Sequence, residues 1–156
     1  MPALRPYVCA VLMVAAASFV QPALAGGHDW TTFGWNNART SAPPVAMGIT
    51  ASNLHSLQRQ QVKIDGTVDG SAIYLHDVRV KGTRHNVFFV TTTYGKTIAV
   101  DADRGTVLWE FTPPDYGSFS GSAQITTATP VADPGRKYIY AAAPDGVIRK
   151  LAVADG

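Results

Sequence analysis

Cysteine is almost missing from this chain: Cys9 stands alone among 156 residues. A disulfide framework, a thiolate metal cluster and a cysteine nucleophile outside the first residues are thereby excluded. Cys9 does not directly follow a small-residue cleavage site, so no lipoprotein signal is visible. Glutamate is as scarce, with Glu110 the only one. Charge is low at 15% of residues, and the net charge is +2 with histidines neutral. No basic stripe is present, so nucleic-acid binding has little support. No apolar run is long enough for a good membrane span. No phosphate loop or dinucleotide fingerprint occurs. Ser18, Ser71, Ser118 and Ser122 lie outside any G-x-S-x-G elbow, and Gly117-x-x-x-Gly121 reads as a flexible loop.

The first 25 residues read as an export signal. Arg5 supplies the positive end, Val8 to Val20 the apolar stretch, and Ala23-Leu24-Ala25 the cleavage site. Gln21 and Pro22 end the apolar stretch, and cleavage predicts a mature chain from Gly26. Loss of Arg5 leaves twelve basic against eleven acidic residues, a net +1. A periplasmic or secreted location follows, with no membrane span after cleavage. Residues 26–65 form an irregular leader. Pro43-Pro44 excludes a regular helix there, and Thr50 to Leu57 allows one helical turn capped by Thr50 or Ser52.

From Val62 onward the periodicity is that of strands. Ser71–Val80, Val87–Thr93, Thr97–Asp101 and Thr106–Thr112 form one antiparallel four-stranded unit. Lys81 to Arg84 makes the first turn. Pro113 to Ser118 connects to a second unit with strands at Thr126–Ala132, Tyr138–Ala143 and Val147–Val153. The two units share an offset of 51 residues: Gly95 matches Gly146, and Gly105 matches Gly156. Glycine at these turns permits a positive φ. A strand-rich repeat of this length predicts an all-β fold of antiparallel β-propeller blades. Residues 66–156 supply about one and three-quarter blades, so the propeller is incomplete and its last blade lacks an outer strand. Such an open edge tends to pair or aggregate.

The pattern Ala99-x-Asp101-x-x-x-Gly105-x-x-x-Trp109 resembles the tryptophan-docking motif of pyrroloquinoline quinone (PQQ)-like β-propeller repeats, the quinoprotein alcohol dehydrogenase-like superfamily. Arg104 stands where that family usually has Thr. In the second copy Ala152 replaces the Asp. Asp29-Trp30-Thr31-Thr32-Phe33-Gly34, Ala38-Arg39-Thr40 and Ile49-Thr50-x-x-Asn53-Leu54-x-x-Leu57 resemble the segment by which these propellers begin. The resemblance implies a structural role for Trp109 between blades and for Asp101 in a turn. It also implies the amino-terminal part of a longer protein, completed by missing carboxy-terminal blades or a protein partner.

Quinone dehydrogenases of the resembled family use an Asp base, calcium held by Glu, Asn and Asp, and often a vicinal cysteine pair. Nothing in this chain maps residue by residue onto that set. No catalytic or metal site is expected in this segment, and PQQ with calcium belongs only to a full-length form. Two classes compete for the whole protein: a PQQ-dependent alcohol or sugar dehydrogenase, and a non-catalytic propeller scaffold for protein contacts. A short protein closing its ring by oligomerisation is a third, opposed by the unequal units and the unpaired last strand.

With a turn centred on Gly82-Thr83, His85 faces Val80 and shares a face with His76. The two then lie roughly 13 Å apart at about 3.3 Å per residue, too far for one metal ion. A different register would change this. His28 and His55 lie in the leader without a partner pattern. Asp65 to Ser71 is rich in oxygen ligands but lacks the spacing and terminal Glu of a calcium loop, so it reads as a turn. Arg39 could pair with an anion, but packing of the leader is the blander role.

Overall fold

The structure, a computed structural model, describes residues 29–44, 46 and 48–156. The export signal at 1–25 and the proposed mature start at Gly26 lie outside the described residues, as does His28. Among the described residues, no helix is long and apolar enough to cross a membrane.

Two antiparallel sheets make up the fold. The first contains β1 (Ile73–Val80), β2 (Thr83–Thr91), β3 (Thr97–Asp101) and β4 (Val107–Phe111), hydrogen-bonded in that order. The second contains β5 (Val131–Ala132), β6 (Tyr138–Ala142) and β7 (Ile148–Ala152), again in chain order. Each strand therefore pairs with its sequence neighbour through a short turn, as expected when turn residues recur between β-branched runs.

Alternation along the strands builds one core from both sheets. Ile73, Leu75, Val87, Phe89, Ala99 and Trp109 of the first sheet belong to the same buried cluster as Ala132, Ile139 and Leu151 of the second, with Val153 just beyond β7. Ile73, Leu75, Phe89 and Ile139 are wholly buried. Each such side chain contributes about 1.5–3 kcal/mol relative to exposure.

The leader is stitched to both sheets. Trp30 exchanges backbone hydrogen bonds with Tyr74 at 2.8 Å in both directions, and Thr31 O accepts from Ala132 N at 2.9 Å. The leader's one helical turn is a 3-10 turn, Leu54–Ser56. Its cap position is Asn53, not Thr50 or Ser52, and no side chain caps it. Thr50 and Ser52 hydroxyls instead bond one another at 2.9 Å, while Asn53 Oδ1 accepts from Thr50 N at 2.7 Å.

Several boundaries differ from the sequence expectation. The first hairpin turns on Lys81-Gly82, with φ of 47° and 84°, so Val80 pairs with Thr83 and Val78 with His85. Positive φ at both central residues matches strand twist, and Lys81 accepts that conformation despite its side chain. Strand β2 consequently begins at Thr83, four residues earlier than its apolar run. The connection after β4 contains a single helical turn, Tyr116–Phe119, not only irregular chain. The opening strand of the second sheet is just Val131–Ala132. Residues 126–130 belong to no strand and are held by isolated bonds such as Thr126 N to Thr93 O at 2.8 Å.

Candidate functional site

The 51-residue offset reappears as hydrogen bonding. Gly105 N donates to Asp101 O at 2.8 Å, and Gly156 N donates to Ala152 O at 2.9 Å. Gly95 N donates to Thr92 O at 2.8 Å, and Gly146 N to Ala143 O at 3.0 Å. All four glycines have positive φ, from 68° to 95°. The two turns of each unit are therefore built alike.

Trp109 lies where the units meet. Antiparallel pairing with Ala99 places it on the buried face of the first sheet. Its ring centroid is 5.7 Å from that of Phe89, tilted by 47°. Its Nε1 donates to Val153 O at 3.0 Å, directly linking the first unit to the second. Gly156 rests on the indole: a Cβ added there would come within 3.1 Å of Trp109 Cε3. The small side chain of Ala99 leaves room for the ring beside it.

Asp101 ends β3 and folds its carboxylate back over the next turn. Oδ1 accepts from Asp103 N at 2.9 Å and Arg104 N at 2.8 Å. Oδ2 lies 2.7 Å from His85 Nδ1 and accepts from the Arg104 guanidinium at 3.1 Å. Burial alone would raise this carboxyl's pKa. The hydrogen bonds from His85, Arg104 and Asp103 outweigh burial and hold it at about 2. Arg104 thus supplies both a backbone and a side-chain donor.

The histidines separate. His85 turns onto Asp101, whereas His76 lines a cleft on the opposite face with Tyr74 and Phe88. The expectation that they share a face is corrected by one cause: a bulge between Leu75 and Val78 shifts the register and puts His76 on the other face, whereas the earlier turn only moves the partner of His85 from Val80 to Val78. Among the described residues, no group of three His, Cys, Asp or Glu side chains is placed to hold a metal ion.

Four further carboxylates have internal partners. Glu110 Oε1 accepts from Lys96 Nζ at 2.7 Å, and Asp65 takes a second bond from the same nitrogen. The bonds to Asp65 and Glu110 push the Lys96 pKa well above the usual lysine range. Burial would raise the Asp133 carboxyl, but backbone donors of Tyr138, Lys137 and Gly135 hold it below the ordinary range. Asp145 is lowered by the Arg149 guanidinium and by Val147 N. Gly66 packs on Thr92 and Thr67 O accepts from Thr93 N at 2.8 Å, while Ser71 N donates to Thr129 Oγ1 at 3.1 Å. Arg39 lies 5.6 Å from the centre of the Phe33 ring, a contact within the leader.

One anchor was invisible in the sequence. Asp29 is buried, and its Oδ1 accepts from His76 N at 2.7 Å and from Arg136 at 3.2 Å. Arg136 Nε lies 2.7 Å from Asp29 Oδ2, an ion pair without hydrogen-bond alignment. Arg136 also donates to His76 O. This joins leader, first sheet and second sheet across 107 residues of sequence, a separation that no local signal encodes.

The fold and this corner define an all-β protein of two antiparallel sheets docked through a tryptophan. Comparisons with family models, with curated proteins and with solved structures find no match.

Proposed function

We propose that these residues are the amino-terminal, blade-bearing part of an exported PQQ-like β-propeller protein of greater length, with no catalytic site of their own. The observation that carries this reading is the Trp109 Nε1 bond to Val153 O between units whose turn bonds repeat at 51 residues. A repeat that packs on its successor is what a propeller blade requires, and here an indole joins the two. By the same repeat, a fourth strand pairs with β7 as β4 pairs with β3. Export to the periplasm or outside the cell rests on the pattern of residues 1–25.

The role of this segment is architectural: the aspartate of its docking turn and its one glutamate serve internal partners. Asp101 is held by His85 and Arg104, and Glu110 by Lys96. A quinone or calcium site, if the whole protein is a PQQ-dependent dehydrogenase, lies on other blades. A non-catalytic scaffold for protein contacts is the second reading, favoured by that same internal use of carboxylates.

The test is the intact mass of the protein from its native source, read with the reading frame beyond Gly156. A mass well above that of residues 26–156, with further Gly-x-x-x-Trp repeats, is expected. Titration of that protein with PQQ and calcium then separates dehydrogenase from scaffold. A mass equal to residues 26–156 would contradict the reading.

A further inference from the structure

Residues 58–64 of the leader belong to no strand, yet they end in the exposure pattern of one. Gln61 and Lys63 are exposed, whereas Val62 and Ile64 are half-buried, so one side of the segment packs and the other is solvated. Val62 and Ile64 line a groove with Phe88, Val90 and Val100. Those three alternate with Phe89 and Ala99 of the core, and so lie on the face of the first sheet turned away from the second. Among the described residues, the backbone of 58–64 has no backbone hydrogen-bond partner.

The contacts of this segment copy those that Trp109 makes one repeat later. Ala102 and Gly105 stand 51 residues before Val153 and Gly156. Trp109 Nε1 donates to Val153 O at 3.0 Å, and a Cβ added at Gly156 would come within 3.1 Å of the same indole. With its amide turned to satisfy both groups, Gln60 donates to Ala102 O at 3.3 Å and accepts from Gly105 N at 3.3 Å. A Cβ added at Gly105 would come within 2.9 Å of the Gln60 amide and 3.0 Å of Val62 Cγ2. Gln60 thus stands to the first unit as Trp109 stands to the second. Aligning the two sets residues 58–62 against Val107–Phe111, the whole of β4.

We propose that residues 58–62 are the outer strand of a third sheet, completed by a three-stranded antiparallel unit from the carboxy-terminal part of the same longer protein. The inference rests on the propeller reading and names the partner that reading needs. Three features select a sheet as the occupant. The segment holds the place of β4, which is an outer strand paired along one edge with β3, and an unpaired strand edge is a template for another strand. The sheet face beside it is apolar: the cleft lined by Trp30, Trp35, Tyr74 and Phe88 opens there, and Phe88 is 41% exposed. Strands β5–β7 show that this repeat builds a three-stranded sheet whose last strand has a free edge, the complement of a lone fourth strand. Leader and carboxy-terminal blades then share one sheet, which closes the ring without a covalent link.

The test is backbone hydrogen exchange on the intact protein from its native source, joined to cross-linking from Lys63. Amides of residues 58–62 are expected to exchange within about tenfold of those of β4, as paired amides of two equivalent outer strands do. An amine-reactive diazirine on Lys63 is expected to capture residues beyond 156 of the same polypeptide. Val62→Asp puts a charge into the apolar groove, so it should speed exchange at 58–62 and abolish that capture while β4 keeps its protection. A protein longer than 156 residues in which 58–62 exchanges as freely as an unstructured chain would overturn the proposal and leave the propeller reading standing. Capture confined to residues 26–156 would overturn it in favour of packing within the leader. Capture of a second molecule would overturn it in favour of strand exchange between copies. A native mass equal to residues 26–156 would overturn both readings.

Discussion

Replacing Trp109 by alanine removes the largest single link between the two units. The indole is 5% exposed, packs on Phe89 and is covered by Gly156. Loss of so large a buried side chain costs about 3–5 kcal/mol where the site cannot collapse. Within that sum, the aromatic pair accounts for about 0.5–1.5 kcal/mol. The orphaned Val153 carbonyl adds about 1–3 kcal/mol if it stays buried. Trp109→Phe separates these parts. It keeps most of the apolar contact but cannot donate to Val153 O, so it should cost about 1–2 kcal/mol. Urea unfolding followed by far-ultraviolet circular dichroism ranks the three proteins without relying on the deleted fluorophore. Native protein, then Trp109→Phe, then Trp109→Ala is the expected order of midpoints. A soluble Trp109→Ala with an unchanged midpoint would refute the docking role. A Trp109→Phe as stable as the native protein would refute the part assigned to the hydrogen bond.

Three further outcomes are expected. Gly95→Ala should be much more damaging than Gly146→Ala, by about 1–3 kcal/mol, although the two are repeat equivalents. An added Cβ at Gly95 comes within 2.5 Å of Ala143 Cβ, whereas at Gly146 nothing lies within 4 Å, so only the left-handed strain remains; equal thermal midpoints would contradict this. Asp101→Asn should lose about 1–3 kcal/mol near neutral pH and flatten the acid limb. The folded pKa lies below the unfolded value of 3.8, so the native contribution is present above pH 3.8 and fades as pH falls through about 2. Identical acid-unfolding curves for the two proteins would sink that assignment. Lys96→Met should cost about 1–2 kcal/mol at pH 7, limited by the solvent exposure of Asp65. Because the lysine pKa is raised, its contribution persists through neutral pH and disappears only as pH rises through the raised folded value. A variant equal in stability to the native protein at pH 7 would count against the ion-pair role.

Local chemistry was legible where it is decided locally. The glycine turns, the β-branched runs and the strand order of the first sheet follow from residues a few positions apart. The extent of β3, Thr97–Asp101, follows from sequence pattern alone because turn residues bound it on both sides. The first hairpin turns one residue earlier than its glycine suggests because Lys81, not only Gly82, takes positive φ. Nothing in a lysine announces that. The bulge at His76-Asp77 was equally hidden, since two polar residues in a row also fit a regular edge strand. The bulge alone turns His76 to the face opposite His85, which bonds Asp101. The Asp29–Arg136 link and the aromatic cleft depend on leader residues meeting β1 and the second sheet, which tertiary packing alone determines. The short β5 reflects the same limit: residues 126–130 have strand composition but meet no neighbouring strand.

Two units 51 residues apart dock through one indole. This docking is tested most directly by nuclear Overhauser effects and hydrogen exchange at Trp109. The indole N–H is expected to be protected from exchange, with cross-peaks from the ring to the α-protons of Gly156 and to Val153. A rapidly exchanging indole N–H with no cross-peak to residues 152–156, in a protein that retains its β-sheet signal, would contradict it.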